Sequence, residues 1–289
     1  MKKRRRKILF LFLLFLCVYL GYKKLAMHPT LHNDQKIVEL VLNDSFQEKS
    51  ILEKISTIPI PWKKTIRLLQ SDSKKTISVS NSLEEPLIYL YNSHPTEEYS
   101  ASNIGEYMVQ PTVIMNNYLL QDLWSKHNIT SYVEEESVKD ILNENNWNYA
   151  SSYRASRILM EDAKKKYPSL EYFIDIHRDS LEKDRTTVQI GDESYAKVLF
   201  IIGLENSNYQ ENLSFTEKIV EKMNTYYPSL CKGIYKKEGA GVNGVYNQDF
   251  SPHTILIEIG GYENTTTEVM NTSMAFSRCF MEVLHEETN

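Results

Sequence analysis

Three stretches of this chain end on residues able to do chemistry. Leu87–Tyr91 (LIYLY) runs into Asn92-Ser93-His94-Pro95-Thr96-Glu97-Glu98, Glu171–Ile176 (EYFIDI) runs into His177-Arg178-Asp179-Ser180, and Thr254–Ile259 (TILIEI) carries Glu258 just before Gly260-Gly261. Neutral imidazole with carboxylate oxygen is a natural donor set for zinc, and two histidines with one carboxylate leave a fourth position for water. Bound zinc would lower that water's pKa to roughly 7, and a neighbouring carboxylate could take and return its proton. Each residue also has a plainer reading. His94 can be an ordinary loop histidine. His177 can simply hydrogen-bond Asp175, because alternate residues of a strand share a face. Glu258 resists the plain reading: an acid inside Ile255-Leu256-Ile257-Glu258-Ile259 must be desolvated, which is costly unless a metal or a basic neighbour accompanies it.

The elements that must position these residues follow from hydrophobic pattern. The three stretches read as buried strands, as does Lys197–Gly203 (KVLFIIG), with Thr130–Val133 a weaker candidate. Thr112–His127, Ser137–Glu144, Tyr153–Lys166, Leu213–Tyr227 and Thr267–Glu286 fit helices, and Pro168 and Pro228 stop two of them. Alternating β and α elements predict an α/β fold with a mostly parallel open sheet and helices on both faces. Ligands of such sheets bind beyond the carboxyl ends of the strands, so two histidines and several carboxylates would converge on one edge.

Other signals are weaker. Asn148–Arg157 (NYASSYRASR) is a polar helix entrance; its serines can cap the helix, and Arg154 and Arg157 can reach an anionic ligand or organise the carboxylates. Gly239–Gly244 (GAGVNG) lacks the P-loop and dinucleotide fingerprints, so a mobile loop bordering the site is expected. The chain has no G-x-S-x-G and no C-x-x-C, so serine-esterase and dithiol redox chemistry have no support. Cys17 lies in an apolar run; Cys231 and Cys279 can pair or stay as free thiols.

Composition bounds the rest. The 289 residues are 42% hydrophobic and 25% charged, as expected of a folded globular protein. Residues 1–24 hold eight of the 33 basic residues and no acid, leaving 25 basic against 38 acidic residues, a charge of about −13 on the remainder. Nucleic acid is excluded as a partner for so acidic a body. After the basic cluster, Ile8–Tyr22 (ILFLFLLFLCVYLGY) is uncharged and reads as one N-terminal transmembrane helix or a cleaved secretory signal. Lys23-Lys24-Leu25-Ala26-Met27-His28 lacks the small-residue cleavage pattern, which favours the uncleaved anchor. The positive-inside rule then leaves the body extracytoplasmic at the cell membrane. The expected organisation is residues 1–24 as basic tail and anchor, 25–85 as a membrane-proximal segment or linker, and 86–289 as the catalytic domain.

Five strings in order and spacing, Tyr91–Tyr99, Asn148–Arg157, Phe173–Ser180, Tyr246–Pro252 and Leu256–Gly261, give residues 86–286 a resemblance to the stage II sporulation protein P family of cell-wall hydrolases. The resemblance implies a zinc-dependent N-acetylmuramoyl-L-alanine amidase of zinc-amidase fold. Such an enzyme cuts the amide between the lactyl group of muramic acid and the L-alanine of the stem peptide in peptidoglycan. An associated endopeptidase activity is implied too, as are engulfment during sporulation and action with the stage II sporulation D and M proteins. Carried over, His94 and His177 would be zinc ligands, with Glu97 as the carboxylate ligand and Glu98 the alternative. Glu258 would be the catalytic acid/base; Arg154, Arg178, Asn247 and Asp175 would contact substrate or support the ligands. This chain has Ser93 where the family usually has threonine, and its membrane-proximal segment is short, which puts partner docking in doubt more than chemistry. The competing functions are a zinc peptidase of similar fold cutting stem peptides or cross-links, and a non-catalytic wall-binding scaffold.

Overall fold

The computed structural model describes residues 30–44 and 85–288. The apolar run Ile8–Tyr22 and most of the 25–85 segment lie outside the described residues. Among the described residues no helix is long and apolar enough to cross a membrane.

The described chain opens with helix α1 (Asp34–Asp44), followed by β1 (Ile88–Tyr91), the hairpin β2 (Ser102–Ile104) and β3 (Tyr107–Val109), α2 (Ile114–Ser125), β4 (Ser131–Val133) and α3 (Val138–Glu144). A 3-10 turn, Tyr149–Ser151, then leads into α4 (Ser152–Lys166), β5 (Tyr172–Asp179) and a single helical turn, Lys183–Thr186. The hairpin β6 (Thr187–Ile190) and β7 (Glu193–Ala196), β8 (Val198–Gly203), α5 (Tyr209–Tyr226), β9 (Cys231–Lys237), β10 (His253–Gly261) and α6 (Thr266–Thr288) complete it. Six strands form one sheet in the order β4-β1-β5-β10-β8-β9. All neighbours are parallel except β10 with β8, so the expected mostly parallel α/β sheet is what the chain builds.

Period-2 alternation sorts the strands' side chains. Ile88, Leu90, Ile174, Ile176, Ile255 and Ile257 enter the main core with Leu119 of α2, Ile219 of α5 and Phe276 of α6. On the other face Tyr89, Tyr91 and Phe173 pack against Met160 and Ala163 of α4. Helices therefore cover both faces, and each fully buried aliphatic side chain contributes about 1.5–3 kcal/mol relative to exposure. On the α4 face the same alternation continues into Asp175 and His177 of β5, and Glu258 of β10 stands opposite His177 in register. The sheet thus changes from apolar to acid and imidazole at its carboxyl edge.

The structure departs from the sequence expectations at several elements. β5 runs to Asp179, beyond the expected end at Ile176, and Asp175 and His177 share one of its faces as the alternation predicts. β9 and the two hairpins carry no continuous apolar run, CKGIYKK in β9 for example, and their pairing comes from neighbours. Residues 34–44, read as part of a spacer, form α1. Its Ile37, Val38 and Val41 lie at helical spacing in the main core. Leu31 joins the β3 side through Leu31 N–H to Met108 O (2.8 Å) and Gln110 N–H to Leu31 O (3.0 Å). The Asp34 carboxylate accepts the N–H and hydroxyl of Thr112 (2.8 Å each) just before α2, and burial pushes its pKa up to about 6. Ile37→Ala should therefore destabilise the domain by about 2–5 kcal/mol. Denaturant or thermal unfolding checks this, and an unchanged midpoint would mean that α1 is undocked in solution.

Candidate metal centre

The site begins with how β1 ends. Asn92 is buried; its amide donates to Ile176 O (2.6 Å) and accepts from Asn117 of α2 (2.7 Å), fastening the strand end to β5. Ser93, fully buried, donates its N–H to Asp175 Oδ1 (2.8 Å) and its hydroxyl to Asp175 Oδ2 (2.7 Å). The chain then turns, with Glu97 N–H to His94 O (3.2 Å) and Val113 N–H to Glu97 O (2.9 Å), so His94 and Glu97 face β5. His94 Nδ1 lies 3.7 Å from Glu97 Oε1, and His177 Nδ1 lies 3.4 Å from Glu97 Oε2. One donor atom from each of His94, Glu97 and His177 falls within 4.8 Å of the other two.

A second layer fixes those donors. His177 Nε2 lies 3.1 Å from Asp175 Oδ1 and 2.9 Å from Ser93 Oγ, so Nε2 donates to Asp175 and Nδ1 is turned to the cluster. A buried carboxylate holding the far nitrogen of a ligating histidine is the usual way to set its tautomer and ring orientation. The Arg178 N–H donates to Glu97 Oε2 (3.0 Å). Aromatic rings wall the site: Tyr149 stacks on His94 (4.8 Å), Tyr153 lies 5.4 Å from His94 and 6.3 Å from His177, and Tyr246 meets Tyr153 edge-on (5.3 Å).

The charges explain what such a cluster would hold. Burial opposes ionisation of Glu97, yet hydrogen bonds from His177 and His94 hold its carboxyl far below the usual range. Burial likewise opposes a charged His177, but Asp175 and Glu97 raise its pKa well above that of a free imidazole. Two carboxylates around one imidazole demand positive charge, which a proton supplies and a divalent cation would supply more fully. Glu258 is half-buried, and its Oε2 is a buried oxygen without a hydrogen-bond partner. Burial raises its pKa, partly offset by the charge of His177. Two imidazoles, one carboxylate and an orphaned acid beside them fit zinc in donor type and number.

The chain matches the model of the stage II sporulation protein P (SpoIIP) family over residues 26–281. It belongs to the stage II sporulation protein P family. It is 33% identical over 208 residues to Stage II sporulation protein P of Bacillus subtilis (strain 168), an alignment covering 69% of this chain and 51% of that protein. The chain thus spans about half the length of that curated relative. Among similar solved structures, the CwlD amidase from Clostridioides difficile, in complex with the GerS lipoprotein, is 12% identical with a TM-score of 0.44 and covers 69% of this chain and 98% of its own. An N-acetylmuramoyl-L-alanine amidase from Clostridium difficile 630 is 14% identical with a TM-score of 0.39, covering 70% of this chain and 96% of its own.

In this stage II sporulation P-family chain the remaining sequence candidates divide. Of the doubled acids, Glu97 faces the histidines, whereas Glu98 is exposed and accepts from Gln110 Nε2 (3.1 Å). Arg154 is exposed and stacks over Trp147 at 3.8 Å. Arg157 pairs with Asp249 (2.9 Å) and Glu161 (3.1 Å), not with the site carboxylates. Asn247 has left-handed backbone (φ 57°), and its amide donates to Tyr153 O (2.9 Å) and Ser156 Oγ (3.0 Å), bracing the aromatic wall. The Gly-rich loop is tied down by Glu205 N–H to Gly244 O (2.9 Å) and by Gly239 N–H to Glu205 Oε1 (2.8 Å). A Cβ on Gly203 would sit 2.3 Å from Gly244 O, so only glycine permits this approach. Cys231 and Cys279 are free thiols, their pKa values pushed by burial to about 11 and about 12. Tyr149 and Tyr153 were not singled out in the sequence; only the polar helix entrance that contains them was visible.

Proposed function

We propose that this chain is a zinc-dependent N-acetylmuramoyl-L-alanine amidase that removes stem peptides from peptidoglycan during sporulation. The observation that carries it is the His94–Glu97–His177 cluster with Glu258 facing it across the β5–β10 pair. Family membership supports a wall hydrolase. Zinc, when bound, supplies a Lewis-acid centre that polarises a carbonyl and acidifies water. In this reading His94, Glu97 and His177 hold the metal. Asp175 and Ser93 fix His177. Glu258, with a free buried oxygen, takes the proton from the attacking water and returns it to the leaving amine of L-alanine. Tyr149 and Tyr153 narrow the site and exclude bulk water. The apolar run Ile8–Tyr22 would anchor the chain in the cell membrane with the catalytic domain outside, and the stage II sporulation D and M proteins are the partners to test.

The test is metal analysis and product analysis on the full chain. About one zinc per chain is expected, with chelation abolishing cleavage and added zinc restoring it. Mass spectrometry of digested peptidoglycan should find free stem peptides beginning with L-alanine. New amines within the peptides instead would make the protein a zinc peptidase. Neither zinc nor cleavage would leave a wall-binding scaffold.

A further inference from the structure

We propose that Arg178 forms a carboxylate-binding subsite at the mouth of the metal centre. Its ligand is the free α-carboxylate of the D-isoglutamyl residue that follows L-alanine in the stem peptide. The inference rests on the amidase reading above and names the group that this site recognises.

Arg178 directly follows His177, and its side chain is held without being neutralised. Nε donates to Glu98 O (3.0 Å) and Nη1 to Asp179 O (3.3 Å). Among the described residues Nη2 makes no hydrogen bond and no carboxylate lies within ion-pair distance of the guanidinium. The nearby acids are engaged elsewhere: Asp179 with Lys232 (3.1 Å) and Glu263 with the Lys183 N–H (2.8 Å). By contrast Arg157 has two carboxylate partners. An exposed tyrosine flanks Arg178, and a second stacks on the candidate ligand His94. Tyr262, 40% exposed, has its ring 6.0 Å from the guanidinium carbon. Tyr149 is 54% exposed and stacks on His94, and the charge of Arg178 acts on its phenol. The guanidinium therefore lies beside an exposed aromatic, on the residue that follows the candidate ligand His177.

An acidic wall polymer approaching a site that contains Glu97, Asp175 and Glu258 meets like charge, and a guanidinium is the group that binds a planar carboxylate with two parallel hydrogen bonds. In a stem peptide joined through the γ-carboxyl of D-glutamate, the α-carboxylate is the first free anion beyond the scissile amide. A merely structural Arg178 would instead only fasten the carbonyls of Glu98 and Asp179.

Two ligands of equal shape separate these roles: N-acetylmuramyl-L-alanyl-D-glutamate γ-methylamide, whose one anion is the α-carboxylate, and its neutral α-carboxamide (isoglutamine) counterpart with the same blocked γ-carboxyl. Calorimetry with the full zinc-loaded chain, carrying Glu258→Gln to prevent turnover, should show the acid binding about tenfold or more tightly than the amide. Adding Arg178→Gln should remove that preference while leaving amide binding nearly unchanged, and Arg178→Lys should restore part of it. Equal affinities without the Arg178 change, or a preference that survives Arg178→Gln, would overturn the subsite. A parallel loss for both ligands would also overturn it, in favour of the structural role. The binding readout is independent of cleavage. A preference without peptidoglycan cleavage by the unaltered chain defeats the amidase reading alone, and cleavage without a preference defeats the subsite alone.

Discussion

Glu258→Gln should lower turnover of peptidoglycan by about 10²–10⁴-fold and leave zinc content unchanged. The amide keeps the size of the carboxyl and removes only its ability to carry a proton. Glu258 is not among the three clustered donors, so the metal set stays whole. Its Oε2 has no partner to lose, which separates this residue from a structural acid, whose replacement would damage fold and metal binding together. Stability supplies the second readout. The folded-state pKa of Glu258 is raised, chiefly by burial, so the folded state holds its proton more tightly than the unfolded chain. A raised carboxyl therefore contributes stability at low pH, and that contribution is lost as pH rises through the folded pKa. The metal-free Glu258→Gln variant should accordingly melt at the same temperature or higher than the unaltered protein at neutral pH, with the advantage disappearing in acid. Lost activity with retained zinc and undiminished stability would mark Glu258 as functional. Lower melting with lost zinc would mark it as a pillar of the site.

What the sequence made legible follows from what hydrophobic pattern can encode. β1, β5 and β10 are short apolar runs, and the chemistry follows because their carboxyl ends carry the histidines and the acid. Pattern gives position along the chain but not side-chain direction. Glu97 and Glu98 are adjacent, and only the turn closed by Glu97 N–H to His94 O decides which carboxylate faces inward. Arg154 and Arg157 are one helical turn apart and look equivalent, yet Trp147 captures the first and Asp249 the second. The β6–β7 hairpin has no apolar signature because partners in α6 hold it; Asn271 donates to Ser194 O (3.0 Å) and Thr272 to Ala196 O (2.6 Å). Helix α1 was hidden differently: its amphipathic stretch Ile37-Val38-Glu39-Leu40-Val41-Leu42 is visible, but one so short does not by itself distinguish a docked helix from a spacer. Ser93 in place of threonine proves chemically small, because its hydroxyl already reaches both Asp175 and His177.

Asp175→Asn should weaken zinc binding about 10–100-fold without touching a candidate ligand. Asp175 is fully buried and faces three donors: the Ser93 N–H, the Ser93 hydroxyl and His177 Nε2. A carboxylate offers acceptors on both oxygens; an asparagine offers one oxygen and replaces the other with a donor. With its NH₂ in the Oδ1 position the amide confronts the Ser93 N–H and His177 Nε2, and in the Oδ2 position it forces the Ser93 hydroxyl to turn from donor to acceptor. Either the Ser93 end of the loop shifts, moving His94 with it, or Nε2 loses its acceptor and Nδ1 no longer carries the lone pair towards the cluster. The charge change acts in the same direction. Asp175 is foremost among the groups raising the pKa of His177 against the opposing effect of burial, so its loss removes the negative field that favours a cation there. In metal-free protein the raised His177 pKa contributes stability below the ordinary imidazole value, lost as pH rises through the folded one. Breaking this buried pair should therefore cost most in mildly acidic buffer, by about 3–5 kcal/mol. Zinc competition against a chelator of known affinity, with unfolding curves across that pH range, checks both effects. Unchanged zinc affinity would mean that Asp175 is packed beside the site without governing it, and that Glu97 and the Ser93 hydroxyl suffice to hold His177.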